Sequence, residues 1–133
     1  MRFLDASLFI YLLTADGDLY SEVRELFLDS VRRGACTDAL AIDEFMWVCR
    51  RRYGVPLAIS MRAVRDVILP TVELLEIGEA ELLEALSALE GDLLNKPSDA
   101  IHYGVMRTHG VSEIVTEDRD FEGLPGVTRI WLC

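Results

Sequence analysis

The sequence predicts an α/β fold, a three-layer α/β/α sandwich built on a five-stranded, mostly parallel sheet. Three observations lead there. Short runs of apolar and β-branched residues alternate with longer segments of helical periodicity. Those longer segments suit crossover helices, which parallel strands need, and a parallel sheet so connected is covered on both faces. Glycine and proline punctuate the joints, and no repeat, low-complexity run or linker divides the chain.

The elements follow in order. Phe3-Leu4 reads as a short buried strand that ends at Asp5. Ser7 is placed to cap a helix through Leu13, and Asp18 or Ser21 to open a second one to about Arg33. In that helix Val23, Leu26, Phe27 and Val31 form the apolar stripe, and Gly34 stops it. Ala35-Cys36-Thr37 suits a second strand. From Asp38 to Tyr53, Ile42, Phe45, Met46, Cys49 and Tyr53 recur at helical spacing before Gly54.

Pro56 to Leu69 reads as a further helix with proline near its first position, and Pro70 ends it. Thr71 to Leu75 is a third strand. Glu79 to Leu94 is an acidic amphipathic helix, and Pro97 opens another that runs to His109 with Gly110 behind it. Glu113 to Thr116 and Val127 to Trp131 complete the sheet.

Length and composition bound the class. At 133 residues and 51% hydrophobic, the chain fits one domain, residues 1–133, with a proper core. Asp5 interrupts any signal-peptide core, and the longest apolar run, Leu8 to Leu13, is far too short to span a bilayer. The expectation is a soluble, cytoplasmic protein with no membrane partner. Cys36, Cys49 and Cys133 are odd in number and widely spaced, which argues against a disulfide framework and a zinc site. Only His102 and His109 can supply imidazole, so carboxylates are the expected metal ligands. His102, three residues after Asp99 on one helix, is expected to pack or hydrogen-bond rather than to catalyse.

The net charge of −10 opposes nucleic-acid binding, since phosphates repel an acidic surface. Its distribution weakens the objection. Residues 1–65 are neutral in sum, and residues 66–99 carry −8, largely on one helix. Seven basic residues, among them Arg50, Arg51 and Arg52, fall between positions 32 and 65. The three consecutive arginines are candidates for binding an RNA backbone.

Four acids stand in short readable contexts: Asp5 in Leu4-Asp5-Ala6-Ser7, Glu44 in Asp43-Glu44-Phe45, Asp99 in Ser98-Asp99-Ala100-Ile101-His102, and Asp118 in Thr116-Glu117-Asp118-Arg119-Asp120-Phe121. Carboxylates gathered from distant segments make an oxygen-rich pocket for Mg²⁺ or Mn²⁺, a standard device for phosphodiester hydrolysis. In a parallel sheet, ligands bind beyond the carboxyl ends of the strands, where Asp5 and Asp118 belong.

This ordered set, spread over essentially the whole chain, resembles the PIN-domain nuclease family, whose small stand-alone members are mostly VapC-type toxins. The resemblance implies a PIN-like fold and an Mg²⁺- or Mn²⁺-dependent endoribonuclease leaving 5′-phosphate and 3′-hydroxyl ends. It implies that Asp5 is a central metal ligand, that Glu44 and Asp99 complete one shell, and that Asp118 holds the other side. Ser7 and Thr116 then orient carboxylates. Expected partners are RNA, a small antitoxin and a second copy in a homodimer. Two choices stay open. Asp43 and Glu44 both have apolar residues three and four positions away; the resemblance, and the better helix propensity of Glu, select Glu44. Either Asp118 or Asp120 can be the ligand, with the other capping the next short helix. The alternatives are a PIN fold serving as a catalytically weak interaction module, and a metal-dependent DNA nuclease or phosphatase on the same fold.

Overall fold

Five parallel strands form one sheet in the order β3-β2-β1-β4-β5, seen in a computed structural model that describes residues 1–132. Cys133 lies outside the described residues. The strands are β1 Arg2–Leu4, β2 Ala35–Asp38, β3 Glu73–Leu75, β4 Glu113–Val115 and β5 Thr128–Ile130. Every neighbouring pair is parallel. The sheet is thus parallel throughout, and the crossover argument from sequence holds.

Successive strand residues point to opposite faces, which splits the core in two. Phe3, Cys36 and Ile114 face one layer, formed by α6 Glu79–Glu90 and α7 Pro97–His109. Leu4, Ala35 and Val115 face the other, built from α1 Ala6–Thr14, α2 Gly17–Arg33 and α3 Ala39–Tyr53 with the segment after it. Phe3 and Leu4 are both fully buried, each worth about 1.5–3 kcal/mol relative to exposure. Helices α6 and α7 approach closely at Gly104, where a Cβ would sit well inside van der Waals contact distance of the Glu81 carbonyl oxygen.

Several local expectations are corrected. Asp5, not Ser7, caps α1: its backbone is extended and its Oδ1 accepts from Ala6 N–H at 2.8 Å. Helix α2 begins at Gly17 rather than at Asp18 or Ser21. Helix α6 stops at Glu90 rather than Leu94, since Asp92 adopts a left-handed φ of 55° that no helix continues through.

Pro70 does not end the preceding helix. Helix α4, Leu57–Ala63, runs into a wider turn over Val64–Ile68, in which Leu69 N–H donates to the Val64 carbonyl, and α5 Leu69–Thr71 includes the proline. A proline lacks a donor and crowds the carbonyl four residues back; a wide turn just before it accommodates both. The third strand accordingly starts at Glu73, two residues later than expected. Among the described residues no helix is long and apolar enough to cross a membrane.

Candidate active site

The strand order reverses beside β1, because β2 and β3 lie on one side of it and β4 and β5 on the other. A reversal of this kind opens a crevice at the carboxyl ends of the strands. Three side chains stand at that edge, one after each central strand: Asp5 after β1, Asp38 at the end of β2, and Thr116 after β4.

Asp5 is held on both oxygens. Oδ1 caps α1 through Ala6 N–H, and Oδ2 accepts from the Thr116 hydroxyl at 2.7 Å. Thr116 Oγ1 in turn accepts from Asp118 N–H at 3.0 Å, and Asp118 Oδ1 accepts from Asp120 N–H at 2.9 Å. The loop after β4 is therefore tied to the carboxylate after β1. Ser7 acts differently from expectation: its hydroxyl bonds the backbone, its Oγ accepting from Glu117 N–H at 3.2 Å, with no hydrogen bond to a carboxylate among the described residues. It fixes the same loop through the backbone.

Together these elements enclose a polar cavity of about 430 Å³ lined by Asp5, Ser7, Glu44, Asp99, Thr116 and Asp118, with Arg52, Lys96, Tyr11 and Tyr53 also in its wall. All four acids singled out in the sequence reach it. Asp43 does not; it lies along a separate groove with Ile42 and Met46. Asp120 stands outside the cavity wall, exposed and 4.0 Å from Lys96 Nζ, yet one of its oxygens is within 4.8 Å of ligand atoms of Asp99 and Asp118. Of the three arginines only Arg52 lines the cavity. Arg51 lies over the exposed Trp47 ring at 5.9 Å, and Arg50 is exposed and outside the cavity lining.

A second pair lies beneath the acids. His102 is completely buried, and its Nδ1 is 2.7 Å from Asp38 Oδ2. Its Nε2 is turned toward Asp5, 3.7 Å from Oδ1. The packing and hydrogen-bonding role expected of His102 is present, but its partner, Asp38, escaped sequence reasoning. The signal was available, since Asp38 ends a strand and caps a helix, with Oδ1 accepting from Ala41 N–H, just as Asp5 does.

The electrostatics follow from crowding. Burial, then the negative charges of Asp118 and Asp5, push the Asp99 carboxyl up to about 7. Glu44 stays exposed at its surface side, yet partial desolvation, then the charge of Asp5, also raises its pKa. Burial works against a charged His102, but the Asp38 hydrogen bond and the charges of Asp38, Asp5 and Asp99 together raise its pKa. Two buried atoms have no hydrogen-bond partner here, Asp99 Oδ2 and His102 Nε2. Carboxylates that repel one another and leave a buried oxygen unpaired fit a hard divalent cation, which would satisfy both features at once. The residues that could hold one fall into two sets, each with ligand atoms within 4.8 Å of one another: Asp5 and Glu44 with His102, and Asp99 and Asp118 with Asp120.

The chain matches the PIN domain family model over residues 2–127. A VapC ribonuclease of Mycobacterium bovis and ribonuclease VapC13 of Mycobacterium tuberculosis are each 26% identical to it over 133 residues, spanning 98% of this chain and 99% of their own. Among solved structures, the fold is similar to that of VapC20 of Mycobacterium tuberculosis, a sarcin-ricin loop cleaving toxin, with a TM-score of 0.76 and 21% identity over 96% of this chain and 98% of the other. It is also similar to a chain of the DNA-bound VapBC complex of Salmonella typhimurium, with a TM-score of 0.73 and 18% identity over 99% and 98%.

Proposed function

The chain belongs to the PIN domain family, and we propose that it is a divalent-metal-dependent endoribonuclease, the toxin of a VapBC-type toxin–antitoxin pair. One observation carries the catalytic reading. Asp5, Glu44, Asp99 and Asp118, from segments spread along the whole chain, line one cavity at the sheet's carboxyl edge, and Asp99 keeps a buried oxygen without a partner. An interaction module has no use for such a charge cluster, which works against folding unless a cation offsets it.

The chemistry a divalent ion supplies when bound is acidification of water and neutralisation of phosphoryl charge. The protein's own residues prepare for it. Asp5 is locked by the Ala6 N–H and the Thr116 hydroxyl, so its free lone pairs keep one orientation. Asp99 projects from the first turn of α7, and Glu44 reaches across from α3. Arg52 and Lys96, on the cavity wall, supply positive charge for backbone phosphates on an otherwise acidic protein. Asp120 sits within reach of the Asp99–Asp118 side and completes it when Lys96 is drawn to phosphate.

The antitoxin assignment is supported by the toxin–antitoxin complexes among similar solved structures, including one from Klebsiella pneumoniae. The deciding experiment compares wild type with Asp99→Asn on labelled total RNA, with Mn²⁺, with Mg²⁺ and with EDTA. Cleavage that needs metal and disappears in the variant is the expected result. Equal silence from both folded proteins would discard the nuclease reading.

A further inference from the structure

Beneath the four carboxylates lies an imidazole whose two nitrogens are treated very differently. Nδ1 is anchored by Asp38 Oδ2 at 2.7 Å. Asp38 is itself immobilised, because its other oxygen accepts from Ala41 N–H at 2.9 Å, and both side chains are fully buried. The ring also packs on Phe3, with centroids 5.2 Å apart. Nε2, by contrast, has no hydrogen-bond partner. It faces Asp5 Oδ1 at 3.7 Å, too far for a hydrogen bond, and that oxygen already accepts from Ala6 N–H.

A fully buried ring nitrogen without a partner requires an explanation. Asp5, Glu44 and His102 each offer a ligand atom, and these atoms lie within 4.8 Å of one another. A carboxylate that grips one imidazole nitrogen while the other is directed at a cluster of acids is the arrangement that orients metal-bound histidines. The geometry assigns His102 Nε2 as a nitrogen ligand of the cation held by Asp5 and Glu44, with Asp38 setting the tautomer. A nitrogen donor shifts the site away from Mg²⁺, which prefers an all-oxygen shell, toward first-row transition ions. The inference rests on the metal-dependent reading above and deepens it: this site is built for a transition metal.

The chain holds two histidines, which makes a direct test simple. His109 is at the surface, with Nδ1 near the Val105 carbonyl and the Thr108 hydroxyl. Wild-type protein loaded with Mn²⁺ alone is examined by pulsed electron paramagnetic resonance, once with natural nitrogen and once with ¹⁵N-histidine. The expected result is a nitrogen modulation from directly bound imidazole that changes character on labelling and persists in His109→Gln. His102→Gln removes it and lowers the Mn²⁺-to-Mg²⁺ affinity ratio, measured by calorimetry, about tenfold or more. Mn²⁺ that binds without any histidine modulation overturns the assignment and leaves the nuclease reading intact. Failure of Mn²⁺ to bind overturns the assignment, and failure of Mg²⁺ to bind as well overturns the metal-dependent reading with it. The labelling comparison uses wild-type protein, so the answer does not depend on whether a substituted His102 still folds.

Discussion

Thr116 donates its hydroxyl hydrogen to Asp5 Oδ2 at 2.7 Å and accepts from Asp118 N–H at 3.0 Å. One fully buried hydroxyl thereby couples the carboxylate after the central strand to the loop that carries the fourth acid. Thr116→Ala removes both bonds at once. The expected loss is about 10- to 100-fold in metal affinity and in kcat/KM on an oligoribonucleotide. Thr116→Ser keeps the hydroxyl and stays within a few-fold of wild type. Equal loss in both variants would place the effect in packing instead.

Without metal, the site opposes folding in a pH-dependent way. The Asp99 carboxyl is raised from 3.8 to about 7 in the folded protein, so between those values the folded state holds more proton than the unfolded one. Stability therefore falls as pH rises through that window. His102, whose pKa is also raised, adds in the same direction above its ordinary 6.5, because its stabilising charge is lost as pH climbs. Melting temperatures in EDTA from pH 4 to 8 should decline more steeply for wild type than for Asp99→Asn. A variant as steep as wild type would show that Asp99 is not the responsible group.

Adding metal should reverse that penalty. A cation that binds only the folded state at 100 times its dissociation constant contributes about 2.7 kcal/mol. Mn²⁺ is expected to raise the melting temperature of wild type by several degrees at neutral pH, and to leave Asp5→Asn/Asp99→Asn nearly unmoved. The comparison is made by thermal denaturation with and without EDTA. Overlapping wild-type curves would contradict a cation site among these acids.

Gly104 sets how closely α6 and α7 can pack. A Cβ there meets the Glu81 carbonyl oxygen and lies 3.1 Å from Ala85 N, backbone atoms that cannot rotate away. Gly104→Ala is expected to destabilise by about 1–3 kcal/mol in urea unfolding, despite the better helix propensity of alanine. Gly91→Ala, whose nearest new contact is Ser87 O at 3.4 Å, serves as the control and should stay within about 0.5 kcal/mol.

Much of this organisation is local and therefore readable along the chain. Strand–helix alternation, the glycines after α2, α3 and α7, and Asp5 at the end of a buried strand are signals within a few residues of their effect. Pro70 misled because a wide helical turn absorbs what an ordinary helix cannot, and nothing nearby in sequence marks such a turn. Ser7 misled because Asp5 and Ser7 are both good caps, and the choice depends on where β1 ends.

The parallel α/β architecture and the candidate acids are legible along the chain, since periodicity and residue type are local properties. Which way those acids face depends on how the helices dock on the sheet. Asp43 and Glu44 differ by about 100° around α3, and only the docking of that helix on the sheet turns Glu44 into the cavity and Asp43 away. The pairing of Asp38 with His102, sixty-four positions apart, arises the same way. It exists because β2 runs beside β1 and α7 crosses behind both, and spatial adjacency of that kind has no counterpart in residue order.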